Sequence, residues 1–277
     1  MDDLRPFLSR RSDGRCRLMG ILNVTPDSFH AASRVNLDSA VKRGLEMWSS
    51  GADWIDVGGE STRPGAESID SSEELSRVIP VIKALREAKP TGLISIDTRR
   101  VDVARAALDA GANMVNDVSG LRNPEMGALV IERGCAVCIM HMQGEPGNMQ
   151  QEPIYEDVVS EVYSYLTSTA NQLVEKGHDP NLICLDPGIG FGKTLTHNLE
   201  LLHSRGDSKY SVLWGVSRKS MFAQLLDRKE TEQRLPGTLG VAAHAMLEGV
   251  DMLRVHDVEA HSDLLTTLAT LRPELNG

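Results

Sequence analysis

WSSGADWIDVGGE, residues 48–60, reads as the end of one helix and the whole of the strand that follows it. The helical tail stops at Gly51, a residue suited to a left-handed cap. A short link then leads into Trp54, Ile55, Asp56 and Val57, an apolar run that finishes among polar residues. LDAGANMVNDVSG (108–120) and LEGVDMLRVHDVE (247–259) follow the same order. Each is the second half of a strand–helix–strand unit, and such units build parallel sheets.

Extending the pattern in both directions predicts eight strands, at 18–23, 54–58, 93–97, 114–117, 136–142, 182–186, 212–217 and 252–256. Between them, apolar residues recur at three and four over 37–50, 71–88, 101–112 and 157–177, which predicts helices. Ser71 or Ser72 supplies a cap for the second of these, followed by glutamates where a helix start favours them. The alternation implies an α/β fold: a single (β/α)8 TIM-barrel domain over residues 1–277, with 1–17 as an N-terminal extension. A doubly wound open sheet is the alternative. The predicted strands end on Asn23, Asp56, Asp97, Asn116 with Asp117, His141, Asp186, Ser217, and Arg254 with His256. Any one of these is explained as a cap or a turn former. As a set on one rim they point to function, because barrel active sites lie at the C-terminal ends of the strands.

Composition narrows the class. A chain of 277 residues buries roughly 75% of its unfolded surface, so it needs no disulfide or metal staple. Cys16, Cys135, Cys138 and Cys184 are scattered; Cys135 and Cys138 form a CxxC inside an apolar run, and on a strand they face opposite ways, unlike a metal clamp or a redox pair. A net charge of −10, from 29 basic and 39 acidic residues, is the wrong sign for a nucleic-acid binder. Behind Arg10 and Arg11 there is no apolar stretch of the signal-peptide kind, and nowhere do 18 apolar residues run together. A soluble, cytoplasmic protein that binds neither nucleic acid nor membrane is expected. With aromatics at 4%, its core must rest on aliphatic side chains and methionine.

Three constellations carry chemistry. LDPGIGFGKT (185–194) misses a phosphate-binding loop by one residue, Pro187 standing where a glycine is required. It reads as a glycine turn shaping a pocket wall, with Lys193 expected as a solvated loop lysine. ESTRPGAES (60–68), VSRKSM (216–221) and RVHD (254–257) bring Arg63, Arg218, Lys219, Arg254 and His256 towards one rim, a focus for an anion such as phosphate. Salt bridges from these cations to Asp56, Asp97, Asp186 and Asp257 are the competing structural reading. Asp97, Asn116 and Asp186 come from three strands into the same mouth, a frame of acceptors for a flat heterocycle with several N–H donors. Metal coordination by the same three ranks lower, since magnesium sites usually add phosphate oxygens to one or two carboxylates and no zinc pattern is present.

GILNVTPDSF (20–29), DVGGESTRPGA (56–66), SIDT (95–98), NDVSG (116–120), MHMQGEP (140–146), DPGIGFGK (186–193), SRKS (217–220) and RVHDV (254–258), in that order, resemble the dihydropteroate synthase family. The resemblance runs from Met19 to Val258, nearly the whole chain. It implies a barrel that works as a homodimer, is a target of sulfonamides, and joins 6-hydroxymethyl-7,8-dihydropterin pyrophosphate to 4-aminobenzoate with Mg2+, releasing pyrophosphate and 7,8-dihydropteroate. It implies that Asp97, Asn116, Asp186 and Lys219 bind the pterin edges and that Met140, Phe191 and Gly215 line its pocket. By the same resemblance Asn23, Arg63, Arg254 and His256 hold the pyrophosphate, Asn23 also meeting the metal. Thr62, Arg63, Pro64, Ser220 and Phe29 receive the aminobenzoate, and Asp97, Lys219 and Arg63 are the catalytic positions.

The first motif departs from the family. Phe29 is followed by His30, Ala31, Ala32 and Ser33 where most members have Ser-Asp-Gly-Gly. Two glycines lost from a lid stiffen it, and an acidic group is gone. The link between Asn198 and Gly215 is also short for a full helix before the seventh strand. A non-catalytic or weakly active pterin-binding paralogue is therefore the alternative. A pterin-dependent methyltransferase would share the acceptor frame without needing STRPGA and SRKS together.

Overall fold

Helical periodicity and continuous apolar runs become helices and strands that alternate, with one extra helix before the last strand. The computed structural model describes residues 3–24, 34–61, 68–144, 149, 153–203, 205–272 and 274. In order they form β1 (Arg17–Asn23), α1 (Arg34–Ser49), β2 (Trp54–Gly58), α2 (Ser71–Ala88), β3 (Leu93–Asp97), α3 (Val101–Asp109), β4 (Met114–Asp117) and α4 (Pro124–Arg133). There follow β5 (Ala136–Met140), α5 (Val158–Glu175), β6 (Ile183–Asp186), α6 (Leu195–Leu202), β7 (Ser211–Trp214), α7 (Met221–Leu226), α8 (Leu235–Leu247), β8 (Met252–Val255) and α9 (Val258–Leu271). The strands are parallel and pair in chain order. β8 then pairs with β1, Arg17 opposite Met252 and Gly20 opposite Val255. That last pairing closes a barrel and rules out the open sheet.

The repeated stretches of sequence are one structural device used three times. Gly51, Gly111 and Gly249 all take positive φ. The N–H after each reaches back five residues, Ala52 to Met47 O at 3.0 Å, Ala112 to Ala107 O at 2.9 Å and Val250 to Ala245 O at 2.9 Å. That is the bond that closes a Schellman cap. The next residue, Asp53, Asn113 or Asp251, clamps the start of the preceding strand. Its backbone N–H donates to Leu18 O, Ile94 O or Val212 O, and its side chain accepts from the N–H of that same residue at 2.9 to 3.0 Å. Helix end and strand register are thus fixed by three consecutive residues.

Two cores result. Leu22, Ile55, Val57, Ile94, Ile96 and their counterparts point outwards against the helices. Met19, Trp54, Leu93, Met114, Cys138, Cys184, Leu213 and Met252 point inwards as an apolar floor. The N-terminal segment plugs this floor from below with Leu4 and Leu8, and Trp54 Nε1 donates to Phe7 O at 3.0 Å. The CxxC behaves accordingly: Cys135 lies in the outer core and Cys138 in the floor.

Several expectations need correction. The cap of α2 is Asp70, not Ser71 or Ser72. Its extended backbone lets its carboxylate accept from Glu73 N at 2.8 Å, whereas Ser71 already starts the helix. Strands five, seven and eight stop short, at Met140, Trp214 and Val255, because pairing ends there and the chain turns out over the mouth. His141, Ser217 and His256 consequently stand on loops above the rim. The short link before β7 does hold a helix, two-turn α6, started by a capping box between Thr194 and His197.

Candidate active site

The pleat alternates, so the residues two beyond the apolar floor form the next inward layer. These are Asp56 above Trp54, Asn116 above Met114, Asp186 above Cys184 and Arg254 above Met252, with Asp97 at the end of β3. A barrel interior normally takes branched aliphatic residues. Here the second layer is polar and nearly all buried.

Arg254 is its hub. Its Nε donates to Asp56 Oδ2 at 2.6 Å and its Nη2 to Asp97 Oδ2 at 2.6 Å, while Asn116 Nδ2 donates to the same Asp56 oxygen at 3.0 Å. Burial opposes the charge on Arg254, but Asp56 and Asp97 together outweigh it and hold the guanidinium more basic than usual. Burial pushes Asp97 up to about 7 despite Arg254, helped by the nearby Asp56, Glu74 and Asp117. Asp186 is also raised by burial, against the pull of the Gly188 N–H, which donates to it at 2.7 Å, and of Lys219, Arg254 and Lys193.

Among the described residues, two buried acceptor atoms in this layer, Asn116 Oδ1 and Asp56 Oδ1, meet no hydrogen-bond partner, nor does Ser95 Oγ on β3. Buried polar atoms are nearly always paired. A patch of orphaned acceptors at the bottom of an open mouth is therefore a place for a ligand's donors.

Loops complete the walls. Arg218 adopts a left-handed backbone (φ 58°), turning the SRKS loop so that Lys219 Nζ lies 3.9 Å from the centre of the Phe191 ring. Burial lowers Lys219 to about 8, partly offset by Asp186 and Asp97. Met140, Val118, Met142 and Met149 pack with Phe191 as a small apolar wall. Ser217 Oγ accepts from His256 N at 3.1 Å and sits 3.0 Å from its Nδ1, which orients the half-buried imidazole. Asn23 Oδ1 and Asp97 Oδ2 flank Gly58, each 3.7 Å from where a side chain there would begin. Among the described residues, no three His, Cys, Asp or Glu side chains gather as a metal ion would need.

The structure therefore brings together Asn23, Asp97, Asn116, Met140, Asp186, Phe191, Gly215, Lys219, Arg254 and His256 at one mouth; a side chain at Gly215 would begin 3.4 Å from Asp186 Oδ2. Ser220 stands exposed at the start of α7. Phe29, the His30–Ser33 stretch, Thr62, Arg63 and Pro64 lie outside the described residues. Three expectations change. Arg218 is spent on Asp257, its Nε 2.9 Å from Oδ2, and Arg254 pairs with Asp56 and Asp97, so for these two cations the salt-bridge reading holds. Asp117 faces away from the mouth and its carboxylate accepts from Ser119 and Leu121 in the following turn. Lys193 is not a solvated loop lysine but is 3% exposed. The glycine turn folds back over His141, and among the described residues the Lys193 amine meets acceptors on Phe191 and His141.

Asp56 was legible as a polar strand end and as a rival salt-bridge partner, but not as a member of the acceptor layer. Its membership of the layer follows from its register, opposite Ser95 and one strand from Asn116, and the inward alternation with Trp54 was the signal.

A model of the pterin binding enzyme family matches residues 19–256. The dihydropteroate synthase of Escherichia coli (strain K12) is 42% identical over 264 residues, covering 94% of this chain and 93% of that one. A crystal structure of the Yersinia pestis dihydropteroate synthase in a sulfonamide drug complex superposes with a TM-score of 0.87 at 39% identity, covering 94% and 96%. The Burkholderia cenocepacia dihydropteroate synthase complexed with 7,8-dihydropteroate gives 0.84 at 40% identity, covering 94% and 92%.

Proposed function

The chain belongs to the pterin-binding enzyme family, and on that premise we infer that it is a transferase that joins 6-hydroxymethyl-7,8-dihydropterin pyrophosphate to 4-aminobenzoate in folate biosynthesis. This is the dihydropteroate synthase reaction, the activity for which its relatives are named. The observation that carries the reading of the site is the buried acceptor layer of Asp97, Asn116 and Asp186, with orphaned oxygens beneath an open mouth.

In this reading the acceptors take the N–H edge of the pterin, and Lys219 supplies the complementary donor. Met140, Phe191 and Gly215 bound the flat ring. Arg254 has Nη1 engaged by neither carboxylate and, with His256, Asn23 and Arg63, faces the pyrophosphate. Thr62, Arg63, Pro64, Ser220 and Phe29 receive the aminobenzoate, where sulfonamides compete. The electron-rich ring stabilises positive charge at its exocyclic methylene. The C–O bond can then break towards pyrophosphate before the aryl nitrogen forms its C–N bond and sheds a proton. The buried carboxylates offset the transient cation and the basic rim offsets the departing anion, both already in place before reaction. Asp97, Lys219 and Arg63 are the catalytic positions.

Magnesium fits as a companion of the pyrophosphate. The protein offers one neutral oxygen, Asn23 Oδ1, and the remaining ligands would be phosphate oxygens and water. When bound, the ion neutralises charge on the leaving group. Leu225, Leu226 and Leu247, exposed on the contacting helices α7 and α8, support a homodimer. The four cysteines are buried and unpaired, as suits a reducing compartment, and we place the enzyme in the cytoplasm. No described helix is long and apolar enough to cross a membrane.

The test is pyrophosphate release by purified protein given both substrates and Mg2+. Release that needs all three supports the reading. Binding of the dihydropterin without release would instead mark a pterin-binding protein whose altered first loop has silenced it.

A further inference from the structure

Lys193 is a buried cation that the reaction as read above does not use. Its Nζ donates to Phe191 O at 2.9 Å and His141 O at 3.4 Å, and lies 3.1 Å from His141 Nδ1. Three ammonium protons thus meet three acceptors, two on the loop after β5 and one on the loop after β6. We propose that Lys193 is a positioning residue for the pterin wall, its ammonium tying these two loops so that the Phe191 ring stands where Lys219 and the flat face of the pterin meet it. The inference rests on the reading of the mouth as a pterin pocket.

Burying an ammonium is unfavourable unless every proton is satisfied. An aliphatic side chain would fill the same space without that cost, so the amine needs a reason. The reason lies in what it holds. Three polar groups of the GIGFGK turn are tied to residues outside it. Gly188 N is bound by Asp186 Oδ1 at 2.7 Å, Gly190 N by Asn198 Oδ1 at 2.7 Å and Gly192 O by Tyr155 Oη at 2.9 Å. Phe191 O, on the residue that forms the wall, is held by Lys193. The other end of the tie is equally fixed. His141 N donates to Asp186 O at 2.9 Å, and its ring stands edge-on to Tyr165 with centres 5.3 Å apart. A backbone this close leaves no slack: a side chain at Gly188 would begin 1.9 Å from His141 O.

The charges agree with the geometry. Burial, with Lys193 and Arg122 nearby, lowers His141 to about 3, so its ring is neutral and Nδ1 is free to accept. Lys193 itself is lowered by burial to about 7, with Asp186 opposing the shift and Lys219 adding to it.

Lys193→Met keeps the stem and removes the donors. Calorimetry with 6-hydroxymethyl-7,8-dihydropterin pyrophosphate, and separately with inorganic pyrophosphate, reads the effect beside KM and kcat. The expected result is a Kd and KM for the dihydropterin weakened by about tenfold or more, with kcat within about threefold and pyrophosphate affinity within about twofold of the parent. General damage to the barrel would move pyrophosphate binding too. Should Lys193→Met fail to fold, Lys193→Gln, a shorter neutral donor, is read in the same way. A folded variant that binds the dihydropterin as the parent does, or that loses pyrophosphate equally, overturns the proposal. A parent protein that fails to bind the dihydropterin overturns the underlying reading instead, and the two failures occur in different samples.

Discussion

Asp97 and Lys219 face the same cavity with their ionisation drawn towards neutrality from opposite sides, and this sets a testable pH dependence. Burial raises Asp97 to about 7, so its carboxylate is charged only above that pH. Burial lowers Lys219 to about 8, so its amine is charged only below that pH. If ligand N–H groups need the carboxylate and ligand acceptors need the ammonium, pterin affinity should rise as pH climbs through about 7 and fall again beyond about 8. Calorimetry across pH 5.5 to 9.5 checks this (about four units to cover both limbs), and Asp97→Asn should flatten the acid limb. An affinity independent of pH would contradict the assignment. Asp186→Asn and Lys219→Ala should each weaken the dihydropterin by about tenfold or more, because each leaves a buried complementary partner unpaired. Affinity unchanged in either variant would remove that residue from the frame.

Among elements, the starts of β1, β3 and β7 are set by the clamps after α1, α3 and α8. Asn113 accepts from Ile94 N at 3.0 Å and from Arg86 Nη2 at 2.6 Å. Asn113→Ala should therefore cost about 1–3 kcal/mol in chemical denaturation, the penalty of leaving a buried donor unsatisfied. Because the clamp sits at the opposite end of the barrel from the mouth, KM should not change. The N-terminal plug makes a parallel case. Leu8 is fully buried in the floor, and Leu8→Ala should destabilise by about 2–5 kcal/mol while leaving pterin affinity alone. A stability within error of the parent would show that the plug is not part of the folded core. The repeats made these elements readable, since a glycine stop and an Asp or Asn two residues later recur at fixed spacing. The cap of α2 was misassigned because Asp70, Ser71 and Ser72 are all good caps in sequence. Only the backbone angle at Asp70 separates them.

At the scale of the whole molecule, the barrel stands on two hydrophobic cores and a polar layer, and the described residues build no metal site of their own. Chelation by EDTA should then leave the thermal midpoint within about 1 °C, because nothing that binds only the folded protein is removed. Pyrophosphate release should stop in the same sample and return with added Mg2+. A large drop in midpoint would point to a structural ion instead. Sedimentation at micromolar concentration tests the homodimer, and a monomer there would argue against α7 and α8 as its contact.

The sequence by itself determined the alternation of strand and helix and the set of polar strand ends. These follow from local periodicity and from glycine's freedom at the helix stops, neither of which needs the rest of the chain. Tertiary structure alone decided how those groups share their charges. Arg254 lies 198 residues from Asp56 and 157 from Asp97, and only closure of β8 on β1 makes them one network. Arg218 likewise meets Asp257 from 39 residues away, and Lys193 is buried where the loop after β6 folds onto the loop after β5. Pairing of charges depends on distances across the ring, and such distances are fixed by the barrel's closure and not by any neighbour in sequence.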